Sequence, residues 1–169
     1  MQKINFLDLE LQQNKIKSIL DTNLKKVLNH SNYIMGPEVK QLEKALEVYT
    51  GAKYCITCAS GTDALILSLL AYGIGKGHFV ICPSFTFPAT AEAILITGAT
   101  PIFIDVGKKT FNLCYRQLEK TLENNKNKLD IKAVIAVDLF GLPANYNKLK
   151  AISKKYNIKI IADAAQSFG

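Results

Sequence analysis

Arginine is almost missing from this chain: Arg116 is the single one among 21 basic residues. The formal net charge of +7 therefore rests on lysines, and these are spread along the chain, at Lys15, Lys17, Lys25, Lys26, Lys108, Lys109, Lys126, Lys128, Lys154 and Lys155. A nucleic-acid surface more often gathers arginine and lysine on one face with aromatic residues between them. The lysines read instead as solvated faces, and nucleic acid is not expected as a partner. No window reaches the roughly 18 apolar residues of a membrane span, and Met1 to Asp8 carries no apolar leader core. A cytoplasmic location with no membrane contact is the expectation. Histidine is limited to His30 and His78, and of four cysteines only Cys55 and Cys58 are closely spaced. Such a pair is a candidate for redox work or for half of a zinc site. Here it falls in an apolar run read as a strand, where residues three apart face opposite sides, and no second pair follows. Free, buried thiols in a reducing compartment are expected, with no metal. Also missing are internal repeats and low-complexity tracts. The one glycine cluster, Gly73-Ile-Gly75-Lys-Gly77, follows a helix and precedes a strand, the reverse of what a dinucleotide-binding turn requires.

What is present suits one folded domain. With 169 residues, 49% hydrophobic and 21% charged, the chain is long enough to bury about 70% of its unfolded surface. From Leu11 to Asn29, Ile16, Ile19, Leu20, Leu24, Val27 and Leu28 recur at helical spacing. A second helix starts at Pro37 and ends at Gly51, with Val39, Leu42, Leu46 and Tyr49 on one face. Thereafter short apolar runs alternate with helical patterns. Strands are predicted at Tyr54 to Cys58, His78 to Cys82, Pro101 to Val106, Ile131 to Val137 and Ile158 to Ala162, with helices between them. Such alternation implies an α/β fold in three layers, a mostly parallel sheet with helices on both faces.

Ligands of such sheets sit beyond the carboxyl ends of the strands. The segments leaving the predicted strands carry Ser60-Gly61-Thr62, Phe85 to Phe87, Asp138 to Gly141 and Asp163 to Gln166, so all share one edge. Ser60, Gly61 and Thr62 stand where a strand hands over to a helix. Free backbone N–H groups and the positive end of the helix dipole point out of that turn, and Gly61 allows an anion close approach. A phosphate suits the place; a simple helix cap by Ser60 or Thr62 explains the same residues. Asp163 follows the apolar run Ile158 to Ala162, so its carboxylate is expected to be half-buried and in need of a cationic or hydrogen-bonding partner.

Six stretches carry a resemblance in register: Gly36-Pro-Glu-Val39, Ser60-Gly-Thr-Asp-Ala-Leu65, Pro83-Ser-Phe-Thr-Phe-Pro-Ala-Thr90, Gly98-Ala-Thr-Pro101, Asp138-Leu-Phe-Gly-Leu-Pro-Ala144 and Asp163-Ala-Ala-Gln-Ser-Phe-Gly169. Together they resemble the DegT/DnrJ/StrS family of pyridoxal-phosphate (PLP) dependent nucleotide-sugar aminotransferases. The resemblance implies a fold type I large domain. It assigns Ser60, Gly61 and Thr62 to the cofactor phosphate, Phe87 to the face of the pyridine ring with Phe85 as wall, Asp163 to the ring nitrogen and Gln166 to the ring hydroxyl. It further implies a homodimer acting on a nucleotide-linked keto sugar, with an amino donor that is usually glutamate, in amino-sugar biosynthesis for surface polysaccharide or related glycans. The chain departs from the family where many members have His in place of Asp138 and Gln in place of Leu142. The family's cofactor-anchoring lysine lies in a motif downstream of Gly169. Residues 1–169 are thus expected to be the N-terminal part of the large domain, without the C-terminal small domain and without turnover by themselves. A truncated, inactive family member serving as an interaction module, and a PLP-dependent sugar dehydratase, are the alternatives.

Overall fold

The computed structural model describes residues 6–168. Met1 to Asn5, part of the segment read for a leader, and Gly169 of the last motif lie outside the described residues. The chain divides after Thr57 into two compact units, Met1–Thr57 and Cys58–Gly169.

The first unit holds two helices and an extended segment. Helix α1 (Leu9–His30) begins where the Asp8 carboxylate accepts a hydrogen bond from the Leu11 N–H at 2.9 Å and ends at Ser31 in the left-handed region. Helix α2 (Pro37–Thr50) begins on Gly36 with Pro37 in its first turn and stops at Gly51, φ +73°. Both match their periodicity, yet neither buries a side chain: Ile16, Ile19, Leu20, Leu24 and Leu28 of α1 are all exposed.

The predicted strand from Tyr54 to Cys58 does not form. Its alternation is there, with Cys55 and Thr57 half-buried while Tyr54 and Ile56 face solvent, but a strand needs a ladder as well as a pattern. The backbone donors go elsewhere. The Thr57 N–H and hydroxyl both donate to Glu43 Oε1 at 2.9 Å, and the Cys55 N–H donates to Glu47 Oε1 at 3.3 Å. The thiols are correspondingly not all buried: all four are free, Cys82 is enclosed, Cys55 and Cys114 are half-buried and Cys58 is exposed.

The second unit is a four-stranded parallel sheet, β1 (Phe79–Pro83), β2 (Thr100–Ile104), β3 (Ile131–Val137) and β4 (Lys159–Asp163), in the order β2-β1-β3-β4. Helices α3 (Gly61–Ala71) and α4 (Ala89–Ile96) cover one face. There Leu65, Leu69, Ala93 and Ile94 pack with Val80, Cys82, Ile135, Val137 and Ile161. Helices α5 (Tyr115–Asn125) and α6 (Tyr146–Tyr156) cover the other, where Leu118, Leu122, Leu149 and Ile152 pack with Ile81, Ile104, Val134 and Ala136. Consecutive strand residues fall into opposite clusters, which is why β3 reads as an unbroken apolar run. Pro101 fits because β2 is an edge strand with β1 as its single described neighbour. No helix among the described residues is long and apolar enough to cross a membrane.

Candidate functional site at the carboxyl edge of the sheet

The strand order sets the place. From β1 the chain crosses to β2 on one side, then returns past β1 to β3 on the other, so the connections diverge between the carboxyl ends of β1 and β3. A crevice opens at such a switch point. A cleft of about 240 Å³ lies there, lined by Gly61, Thr62, Leu65, Phe87, Ala89, Val137, Asp163, Ala165 and Gln166. A second cleft, of about 230 Å³, lies at the opposite edge around Asp130, Ile131 and Ile158. It is bordered by the amino ends of β3 and β4 and gathers none of the motif residues.

One wall of the first cleft is the start of α3. Ser60 caps this helix: its hydroxyl oxygen accepts from the Asp63 N–H at 3.1 Å and its carbonyl from the Ala64 N–H at 3.0 Å. The N–H groups of Gly61 and Thr62, in the same turn, have no partner among the described residues. They are the orphan donors of a helix N-terminus, and they open on the cleft. A Cβ built on Gly61 would meet nothing within 4 Å, so the space over the turn is open. Ser60 does not line the cleft, while Gly61 and Thr62 do.

The opposite wall comes from β3 and β4. Val137 and Asp163 are paired across the two strands, and the Asp138 N–H donates to the Asp163 carbonyl at 3.0 Å. The half-buried Asp163 carboxylate accepts from the Ala165 N–H at 3.2 Å and has no cationic partner among the described residues. Gln166 Oε1 accepts from the Phe140 N–H at 2.6 Å, which leaves its side-chain amide donor free to face a ligand. Gly141 makes this approach possible. Its φ is +82°, and a Cβ there would come within 3.0 Å of the Gln166 carbonyl oxygen.

Of the two aromatic rings expected in the cleft, Phe87 lines it, 69% exposed, and Phe85 does not. Phe85 packs instead with Phe111 and Phe140, because its ring turns toward the loops that follow β2 and β3. Asp138 also differs from a substrate-facing residue. It is 3% exposed and accepts from the Ala144 N–H at 2.8 Å, the Tyr146 hydroxyl at 2.7 Å and the Ser167 hydroxyl at 2.7 Å. Burial and this carboxylate push the Tyr146 phenol well above its ordinary value of 10, so it stays a donor. Asp138 therefore ties the turn after β3 to the turn after β4 that carries Gln166. Its position in the sequence, one residue past the strand end just as Asp163 ends β4, was the one signal for this role. Cys82 is buried in the apolar cluster that includes the cleft residues Leu65 and Val137, its pKa pushed up to about 12 by burial.

The class this defines is an α/β protein with a small-molecule cleft at the carboxyl edge of a parallel sheet, one wall offering backbone N–H donors and the other a carboxylate. Residues 14–169 match the model of the DegT/DnrJ/EryC1/StrS aminotransferase family, and the chain belongs to that family. It is 46% identical over 166 residues to the UDP-2-acetamido-2-deoxy-3-oxo-D-glucuronate aminotransferase of Pseudomonas aeruginosa, covering 98% of this chain and 45% of that protein. Among solved structures, an aminotransferase of the family from Brucella abortus superposes with a TM-score of 0.92 at 45% identity, over 98% of this chain and 45% of that one. NtdA from Bacillus subtilis with bound cofactor PMP superposes with a TM-score of 0.87 at 32% identity, over all of this chain and 38% of that one. The chain thus spans somewhat under half the length of the relatives it matches.

Proposed function

We propose that residues 1–169 are the N-terminal, cofactor-binding part of the large domain of a PLP-dependent aminotransferase that acts on a nucleotide-linked keto sugar. The observation that carries this reading is one cleft with, among the described residues, unpartnered helix N–H groups on one side and, on the other, a half-buried carboxylate without a cationic partner. The residues fit PLP. The Gly61 and Thr62 N–H groups suit its phosphate, with Ser60 holding the turn that aims them and its hydroxyl hydrogen still available. The Phe87 ring suits the pyridine face, the Gln166 amide the ring hydroxyl, and Asp163 the ring nitrogen, which it would keep protonated. When bound, PLP supplies an electron sink for the substrate carbon that exchanges its amino group. The chain's own part is to fix phosphate and ring between α3 and β4, and to hold a proton opposite the Asp163 carboxylate. The lysine that anchors the cofactor in the family, the small domain and a second protomer completing a homodimer would come from outside these residues. Glutamate as amino donor and a role in amino-sugar biosynthesis for surface polysaccharide or related glycans rest on the family resemblance, and the relative from P. aeruginosa bears a UDP-sugar name.

The test is Asp163→Asn in the protein at its native length. Cofactor absorbance is expected to persist, with transamination slowed at least about a hundredfold. Turnover near wild type would remove Asp163 from this role, and a wild-type protein that takes up no PLP would remove the reading itself.

A further inference from the structure

Beside the cleft lies a second feature, outside its lining and outside the residues assigned to the cofactor. Phe85, Phe111 and Phe140 form a triangle with ring centroids 5.6, 5.7 and 6.4 Å apart, and 49%, 41% and 70% of these residues stay exposed. They come from the segments that follow β1, β2 and β3, so the cluster occupies the same carboxyl edge as the cleft. We propose that this cluster, with Lys108 and Lys109 beside it, seats the nucleoside diphosphate end of the substrate; the proposal rests on the reading of a nucleotide-linked sugar and names where its nucleotide goes.

The cluster is built rather than incidental. Asn112, 5% exposed, donates through Nδ2 to the carbonyls of Leu142 at 3.3 Å and Pro143 at 3.2 Å, stapling the loop that bears Phe111 to the loop that bears Phe140. Phe111 and Phe140 both hold left-handed backbone, φ +56° and +58°, which is uncommon for a bulky side chain. The Phe111 N–H closes a tight turn onto the Gly107 carbonyl at 2.8 Å, and Lys108 and Lys109 sit inside that turn, exposed and without ion-pair partners among the described residues. The cluster also touches the cleft, since the Phe140 N–H holds Gln166 and Phe85 precedes the cleft residue Phe87 by two positions.

The chemistry selects the ligand. Open aromatic faces stack on any nucleobase, because every base presents a π-face. Lys108 and Lys109, in the turn that leads into Phe111, add two positive charges to the same loop, which suits a diphosphate attached to a stacked base. The cleft assigned to the cofactor adjoins the cluster through the Phe140 N–H bond to Gln166, so a nucleotide seated there would point its sugar end toward the cofactor. A core would have closed over three phenylalanines; this edge leaves them open next to the cleft.

The experiment uses the protein at its native length, with UDP, uridine and pyrophosphate as separate probes in calorimetric titrations. The wild type is expected to bind UDP more tightly than either fragment of it. The double variant Phe111→Ala/Phe140→Ala should weaken UDP and uridine roughly tenfold or more. The double variant Lys108→Ala/Lys109→Ala should weaken UDP and pyrophosphate and flatten the salt dependence, while uridine is unaffected. PLP absorbance should persist in both. Should the phenylalanine variant lose PLP and circular dichroism as well, the lysine variant, altered on exposed side chains, decides alone. Unchanged UDP affinity in the variants that keep PLP would overturn the proposal, as would a wild type that holds PLP but no UDP. So would a loss of UDP binding in the phenylalanine variant that tracks a change of oligomeric state by light scattering while the lysine variant binds normally. A wild type without PLP would instead overturn the cofactor reading on which the proposal stands.

Discussion

Helices α1 and α3 both repeat leucine and isoleucine at helical spacing, but α3 buries Leu65 and Leu69 while α1 buries nothing. The two units of the chain differ in the same way. In Cys58–Gly169 the strands and helices alternate, so each crossover lays an apolar stripe onto a sheet face and both faces are filled. In Met1–Thr57 two helices precede an extended segment that pairs with no strand among the described residues, and Ile16, Ile19, Leu20, Leu24 and Leu28 of α1 remain exposed. Periodicity specifies a face; what covers the face comes from elsewhere in the topology. The candidate cleft is lined wholly by residues of the unit whose core is closed, which suits a site that must hold donors and a carboxylate in fixed relation.

The comparison breaks most readily in the cores. Ile135→Ala, at a fully buried position of β3, is expected to cost about 4 kcal/mol in urea unfolding of the 169-residue chain. Leu24→Ala on α1, 53% exposed, is expected to stay within about 0.5 kcal/mol. A loss of more than 2 kcal/mol at Leu24 would mean that the face of α1 is covered after all, and the contrast between the units would fall. Next in size is Asp138→Ala. It strands the Ala144 N–H and the Tyr146 and Ser167 hydroxyls in a buried place, for a cost of about 3 kcal/mol. Asp138→Asn, which still accepts two of the three bonds and can donate to Ser167, should recover more than half of that. Equal losses in the two variants would mean that packing, not hydrogen bonding, makes Asp138 the tie between the turns after β3 and β4.

Much of the second unit was legible beforehand for a physical reason. Its strands are buried on both sides, so Ile131 to Val137 and Ile158 to Ala162 announce themselves as apolar runs, and the rule that ligands sit beyond the carboxyl ends of strands gathers Phe87, Asp163 and Gln166 on one edge. Gly61 and Thr62 are expected there through a strand at Tyr54 to Cys58 that does not form, and they reach the cleft as the start of α3 instead. Less legible were features that depend on partners distant in sequence. Tyr54 to Cys58 has the alternation of a strand, yet Glu43 and Glu47 hold its donors. Phe85 and Phe87 differ by two positions, and only the loops that follow β2 and β3 decide that Phe85 joins Phe111 and Phe140. Ser60 illustrates a third case. The sequence left cap and phosphate site open, and the structure gives its hydroxyl oxygen to the cap while the N–H groups beside it stay unpartnered.

Smaller effects sharpen the contrast at its margins. Gly141→Ala forces a Cβ into left-handed backbone and against the Gln166 carbonyl, for about 1 to 2 kcal/mol. PLP affinity should fall with it, because the turn that positions Gln166 must shift; unaltered affinity together with unaltered stability would mean that the turn yields freely.

The smallest effect belongs to the open unit and depends on pH. The backbone and side-chain hydrogen bonds from Thr57 hold the Glu43 carboxyl below its ordinary 4.5, so the folded segment prefers the ionised form. For a depressed pKa the contribution is complete above the unfolded value, and it is lost as pH falls below 4.5 and through the lowered folded value. Hydrogen exchange at the Thr57 amide should therefore lose protection on acidification from about pH 5, while amides of β3 in the closed unit keep theirs over the same interval. Glu43→Ala should remove the Thr57 protection at neutral pH and abolish its pH dependence, with the unfolding midpoint of the sheet unchanged. Were Thr57 to stay protected in that variant, the extended segment would have to be held by something other than α2, and the strand read in Tyr54 to Cys58 would regain its claim.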